Sequence, residues 1–226
     1  MFGEGIVLWV VIAALLGGSI VWGLFFTRDS KIHRRLFGRR IDAIAAITPI
    51  PAGDIVRITG TVERVEEDLW APLTRRRCVH YLTIVEERQR AGPLSRRAPW
   101  TEVIRHERSV DFLLRDASGV ARVRMDRAQV AVVRDIHTRS GFLDDPTPME
   151  REFLEMQGED PTGGGGMNRG LRYTEGVIEV GEVVTALGVA LPGDDTCRLV
   201  IGAPPDGHVL VTDEPTTVHS AARDAH

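Results

Sequence analysis

The sequence predicts a mainly β protein: an N-terminal transmembrane helix followed by a small, strongly curved β-barrel with one short helical insertion. Three observations carry this. Gly5 to Phe26, "GIVLWVVIAALLGGSIVWGLFF", is 22 residues without a charge. At ~1.5 Å per residue such a helix crosses a hydrocarbon layer of about 30 Å. From Ile50 onward, short runs rich in β-branched and aromatic residues alternate with turns. Finally, "GDIVRITGTV" from Gly53 is echoed by "GEVVTALGVA" from Gly181, with Gly, an acid, Val at the fourth place and Gly at the eighth. Each echo reads as a turn, a strand and a glycine where the strand bends or another backbone approaches. That pattern suits an OB-like barrel.

The apolar segment reads as a retained anchor. A cleaved signal peptide has a positive start and a small-residue cleavage site, whereas this chain begins "MFGEG" and places its positive charges afterwards. Arg28, Lys31, Arg34, Arg35, Arg39 and Arg40 follow the segment directly. Positive flanks stay on the cytoplasmic side, so the sequence predicts a single-pass inner-membrane protein with its N-terminus outside and its soluble part in the cytoplasm. Residues 27–49 form a basic juxtamembrane connector ending at Pro49. The basic run serves topology, or additionally attracts anionic headgroups.

A β domain is predicted over residues 50–212. Its strands are "DIVRITGTVERVEE", "CVHYLTIVEER", "WTEVIRHERS", "VDFLLRD", "VARVRMD", "LRYTEGVIEVGEVVTALGVAL", "CRLVIGA" and "HVLVTD". "DASG", with Gly119 last, is the turn between the fourth and fifth. "LSRRAP" from Leu94 is the loop of a hairpin joining the strands around Ile84 and Val103. Residues 141–170 interrupt the rhythm with a short amphipathic helix, "MEREFLEMQ", carrying Met149, Phe153 and Met156 on one side, and a glycine-rich connector. Residues 213–226 are small and polar and read as a disordered tail.

Composition narrows the function. The chain carries a net −4, the stretch Arg28 to Arg40 is +5, and with Glu4 the one earlier charge, residues 41–226 carry −8. Nucleic-acid binding rests on Lys and Arg neutralising phosphates, so a domain this acidic is not expected to bind nucleic acid. Two cysteines, Cys78 and Cys197, exclude a multi-cysteine zinc module within these residues and argue against a disulfide-stapled fold.

The densest cluster of reactive side chains is "TRRRCVHY", Thr74 to Tyr81. Cys78 and His80 stand two apart and share a face on a regular strand. A cysteine nucleophile needs a stabilised thiolate and an oriented base, and is usually presented at a helix start or strained turn. A buried packing role for Cys78 is the competing reading, and it is the one adopted. Cys78, His80 and His106 lack the further ligands a metal site requires. No catalytic residue, cofactor, metal or small-molecule substrate is therefore expected. Arg75, Arg76 and Arg77 are candidates for binding an anion or an acidic partner, with Trp70 and Trp100 as flanking aromatics of a peptide groove. Against this, the arginines pair across strands with Glu63, Glu66, Glu67 and Asp68, and the tryptophans cap the core.

In order, the N-terminal span, the "G-D-x-V-x-x-x-G-x-V" strand, "PLTRRRCVHYLTIVEER", "W…DFLLRDASGVARV" and "LRYTEGVIEVGEVVTALG" resemble the GIDE domain. That domain is found in membrane-anchored mitochondrial E3 ubiquitin ligases and in bacterial proteins. The resemblance covers about residues 50–212, most specifically Pro72 to Tyr81 and Arg172 to Gly188. It implies a ligase-like relation, but the ligases' activity resides in a RING that holds two zinc ions through eight Cys and His ligands. RING chemistry carries over to no residue here. The expectation is a membrane-tethered binding or scaffold domain with an unidentified protein partner. The alternatives are a component of ubiquitin-like transfer working with a separate RING, and a sensor of anionic lipid or envelope state.

Overall fold

The computed structural model describes residues 39–50, 53–64, 69–89, 98–141, 143–162, 168–195 and 197–214. The predicted span at 5–26 lies outside these residues, as do most of the "LSRRAP" loop and nearly all of the tail. Among the described residues no helix is long and apolar enough to cross a membrane.

Among the described residues, twelve strands and one α-helix alternate along the chain. They are β1 (Ile55–Arg64), β2 (Leu69–Trp70), β3 (Arg77–Arg88), β4 (Trp100–Ser109), β5 (Phe112–Arg115), β6 (Val120–Val123), β7 (Ala128–Ala131), β8 (Arg134–Ser140), α1 (Pro148–Met156), β9 (Leu171–Glu179), β10 (Val183–Pro192), β11 (Leu199–Gly202) and β12 (Val209–Thr212). The mainly β expectation holds, with one short helix.

Five strands close a barrel. β1 pairs with β5, β5 with β6, β6 in parallel with β11, β11 with β10, and β10 returns to β1. Period-2 patterning explains which residues point inward. Phe112 and Leu114 on β5, Ala121 and Val123 on β6, and Ile58 and Val62 on β1 are buried in one cluster. The turn read as "DASG" joins β5 to β6, with Asp116 Oδ1 accepting from the Ser118 and Gly119 amides at 2.7 and 2.8 Å. β12 and β7 continue the sheet beyond β10.

The two echoed segments are β1 and β10, and they lie side by side in antiparallel register, Ile55 against Val189 through Thr61 against Val183. Their leading glycines, Gly53 and Gly181, both take positive φ, 62° and 99°. Their second glycines admit a neighbouring backbone: a Cβ on Gly60 would stand 2.4 Å from the Arg115 carbonyl oxygen, and one on Gly188 would stand 2.6 Å from that of Gly202. Gly188 sits where β10 passes from its pairing with β12 to its pairing with β11.

A second sheet stands beside the barrel. β3 is its spine, with β9 on one edge and β2 followed by β4 on the other, and β8 lies outside β9. The β3–β4 hairpin is the one expected around Ile84 and Val103. Helix α1 covers part of this sheet, burying Phe153 and Leu154 against Val85, Leu171 and Tyr173. Thr147 caps it reciprocally with Glu150, and Pro148 occupies the first turn. The buried side of α1 differs from the expected Met149, Phe153 and Met156. Glu150, Phe153 and Leu154 are buried and Met156 is exposed. Glu150 faces inward because its carboxylate closes the capping box and also accepts from the Thr138 hydroxyl at 2.5 Å.

The last part of the segment read as connector is attached to the barrel. Ile44 is buried in the barrel core. Its amide donates to Asp116 Oδ2 at 2.9 Å, and the Asp42 amide donates to the Arg57 carbonyl at 2.7 Å.

Candidate functional site

The loop that leads into β3 folds back on itself. The Ala71 amide donates to the Arg76 carbonyl and the Arg75 amide to the Ala71 carbonyl, both at 2.9 Å. This closure puts Arg75 at φ 55°, the one non-glycine residue with positive φ among those described. Such a conformation costs roughly 1 to 3 kcal/mol and persists where its surroundings over-determine it. Here one carboxylate holds the two residues before Arg75. Glu175 on β9 is fully buried and accepts from the Leu73 amide (3.0 Å), the Thr74 amide (3.1 Å), the Thr74 hydroxyl (2.6 Å) and the Thr83 hydroxyl (3.0 Å). Buried polar groups need such partners, and Glu175 satisfies the loop's inward amides as the loop satisfies it.

The candidate arginines flank this loop. Arg75 reaches α1, donating to Glu152 at 2.6 Å and contacting Met149 Sδ at 3.2 Å. Arg76 is a forked link, with Asp135 of β8 at 2.9 and 3.0 Å and Glu179 of β9 at 2.8 Å. The cross-strand partners expected from sequence are different. Glu63 pairs with Arg115, because β1 runs beside β5 and not beside the loop; Glu66, Glu67 and Asp68 lie outside the described residues. Arg77 is exposed and stands opposite Trp70 in the β2–β3 register. Trp70 is 52% exposed.

Trp100 belongs elsewhere. It lies opposite Arg88, at the far end of β3 from Arg77. That is roughly 35 Å along an extended strand. Its ring is covered by the Arg172 guanidinium, 4.8 Å from the centroid, and Arg172 also pairs with Glu86.

Cys78 and His80 do not form a nucleophile and base. A register irregularity between them breaks the strict alternation that would align them. Cys78 packs with Leu69, Tyr81 and Val177, and its Sγ contacts the Leu69 carbonyl at 3.6 Å. Burial, with Glu175 and Glu179 adding to it, pushes the thiol up to about 12. The His80 ring is fully buried, with Nδ1 2.8 Å from the Ser109 hydroxyl. Burial, with Arg105 nearby, brings its pKa down to about 3, so it is a neutral ring. His106 bonds the Tyr81 hydroxyl at 3.1 Å and tilts against Phe153. The three side chains weighed as metal ligands thus make their polar contacts with three different residues, Leu69, Ser109 and Tyr81.

A family model described as "GIDE: E3 Ubiquitin ligase" matches residues 83–218, more than half of the 226-residue chain. The chain belongs to the GIDE family. No curated protein and no solved structure matches it. The GIDE match opens at Thr83, one of the Glu175 donors, and contains Glu175 itself, Arg172 and Asp135. The arginine loop precedes it.

The residues that organise this GIDE domain's polar interior were not among the candidates. Glu175 is one; its signal is an acid on the inward side of the apolar run "RYTEGVIEV". Arg169 is another, joining β3 to the residues after α1 through Glu87 (2.9 and 3.0 Å) and Glu159 (2.8 Å), contacts that raise its pKa. Asp213 is a third. It follows β12 and accepts from the Val133 amide at 2.9 Å at the start of β8. Burial raises it to about 7, opposed by that bond and reinforced by Glu182 and Asp135.

Proposed function

We propose that this GIDE-family chain is a single-pass membrane protein whose β domain is a binding or scaffold module on the cytoplasmic side, without catalysis of its own. The observation that carries the reading is Trp70. A half-exposed tryptophan on β2 stands opposite Arg77 on β3 at the base of the loop whose Leu73 and Thr74 amides Glu175 holds, and aromatic anchors on fixed frames are how binding surfaces are built. The reactive groups beside it have packing roles: Cys78 is held by the Leu69 carbonyl and His80 by Ser109. The barrel supports the same reading. Numbering its five strands in chain order, the ring runs 1-2-3-5-4-1 with a parallel 3–5 pair, the connectivity of OB barrels, a scaffold widely used for binding. Fold alone does not assign function, and the module reading rests on the loop. The test is a photoreactive amino acid at position 70 of the full chain in intact cells, with position 124 as control. A discrete adduct at 70 and none at 124 is expected; equal labelling at both positions overturns the reading.

The family description supports a second reading, a role in ubiquitin-like transfer with a separate RING partner. It predicts that purified full-length protein stimulates conjugate formation by activating enzyme, conjugating enzyme, RING and ubiquitin, and that Trp70→Ala removes the stimulation. No change on adding the chain overturns it.

A further inference from the structure

We propose that the groove between residues 39–48 and β1 seats a zwitterionic phospholipid headgroup, its phosphate on Arg39 and Arg40 and its primary ammonium on Asp54. This rests on the reading of Gly5 to Phe26 as a membrane span. The groove has a volume of about 880 Å3 and is lined by both arginines, Asp54 and apolar residues that include Ile41, Ile47 and Ile55. Pockets of this size are those that take small ligands.

Three features favour a headgroup. First, the charges are available. Arg39, Arg40 and Asp54 are exposed and make no side-chain ion pair among the described residues, in contrast to Arg75 and Arg76, whose guanidiniums are held by Glu152, Asp135 and Glu179. Guanidinium recognises phosphate by paired N–H donors, and a neighbouring carboxylate would repel a purely anionic headgroup while accepting from an ammonium. Second, the wall is fixed in advance. The Asp42 amide donates to the Arg57 carbonyl at 2.7 Å, the Arg57 amide to Asp42 Oδ2 at 3.2 Å, and Arg57 Nη1 to the Arg39 carbonyl at 2.8 Å, while Ile44 is anchored in the barrel core. A preformed wall lowers the ordering cost of binding. Third, the groove is tethered near a bilayer. Arg39 follows Phe26 by thirteen positions, a reach of at most about 45 Å, and Ile55, 41% exposed, offers an apolar surface for the glycerol end of a lipid.

The experiment uses the full chain in nanodiscs of phosphatidylcholine with or without phosphatidylethanolamine, read by amide hydrogen exchange at residues 41–47 and 54–57. Phosphatidylethanolamine is expected to slow exchange there several-fold. Arg39→Ala with Arg40→Ala, and separately Asp54→Asn, are expected to abolish the slowing. Thermal unfolding of these variants should match the parent, because Arg39 contributes its carbonyl to Arg57, which the substitution keeps. Equal exchange in both lipids, or slowing that survives the substitutions, overturns the proposal. Slowing reproduced by inorganic phosphate in phosphatidylcholine discs overturns the lipid as its source. Extraction with alkaline carbonate separates the two levels. A chain released from membranes defeats the membrane reading, whereas a retained chain whose exchange ignores the headgroup defeats this proposal alone.

Discussion

Thr83 and Glu175 face each other directly across β3 and β9, both fully buried, with the Thr83 hydroxyl donating to Glu175 Oε2 at 3.0 Å. The same carboxylate holds the Leu73 and Thr74 amides, so one cross-strand pair ties the second sheet to the arginine loop. Glu175→Ala leaves two inward amides without an acceptor and is expected to destabilise by about 3 kcal/mol; Thr83→Val costs about 1 kcal/mol. Denaturant unfolding of the singles and the double gives a coupling of at least about 0.5 kcal/mol if they act through one another. Strict additivity contradicts this account.

Cys78 is expected to be inert in the native protein. A thiol at about 12 is ionised in roughly one molecule in a hundred thousand at neutral pH, and thiolate is the reactive form. Iodoacetamide should label Cys78 slowly until denaturant is added, and Cys78→Ser, which keeps a donor toward the Leu69 carbonyl, should leave cellular function intact. Rapid stoichiometric labelling with loss of function would refute the packing role.

Asp213 makes stability pH-dependent with a definite sign. Its folded pKa, about 7, lies above its ordinary 3.8, so the folded protein holds a proton that the unfolded chain has released. Stability therefore falls as pH rises from about 4 to about 7 and levels off beyond. Asp213→Asn keeps an oxygen for the Val133 amide and removes the ionisation. Its melting temperature should exceed the parent's above pH 7 and converge with it at the acid end. A parallel offset at every pH rules the mechanism out.

Gly60→Ala and Gly188→Ala are expected to destabilise by about 1 to 3 kcal/mol each, because each added methyl meets a backbone oxygen with no room to yield. Gly141→Ala is the control. Its Cβ would find nothing nearer than 3.9 Å among the described residues, and a change within about 0.5 kcal/mol is expected. Chemical unfolding of the three variants, with indistinguishable midpoints, would count against the close approach.

The barrel was legible because its information is local. Phe112, Leu114, Ala121 and Val123 alternate along two strands joined by "DASG", and the glycine echo marks β1 and β10 in the sequence alone. The polar interior was less legible because its partners are remote. Arg76 finds Asp135 and Glu179 at separations of 59 and 103 residues, and Arg75 finds Glu152 at 77; no window of sequence contains these pairs. Helix α1 shows the same limit. Apolar periodicity favours Met156 over Glu150, yet Glu150 is buried, through bonds to Thr147 and Thr138 that periodicity does not weigh. The two stretches most specific to the family resemblance, Pro72 to Tyr81 and Arg172 to Gly188, meet through Glu175 and through the pair Arg76 and Glu179.

The chain visits the barrel with β1, leaves for β2 to β4, returns with β5 and β6, leaves again through β8, α1 and β9, and returns with β10 to β12. The two sheets are therefore sewn together by the path of the backbone, and no single cut frees either one. A fragment starting at Thr83, where the family match starts, would discard β1 and the first half of β3. β10 would lose its neighbour from Ile55 to Thr61, turning the ring into an open arc with bare edges. Expression boundaries for this protein should be set before Arg39, whose carbonyl is the first among the described residues to bond to the barrel, so that the stretch shared with relatives is produced inside the unit that folds.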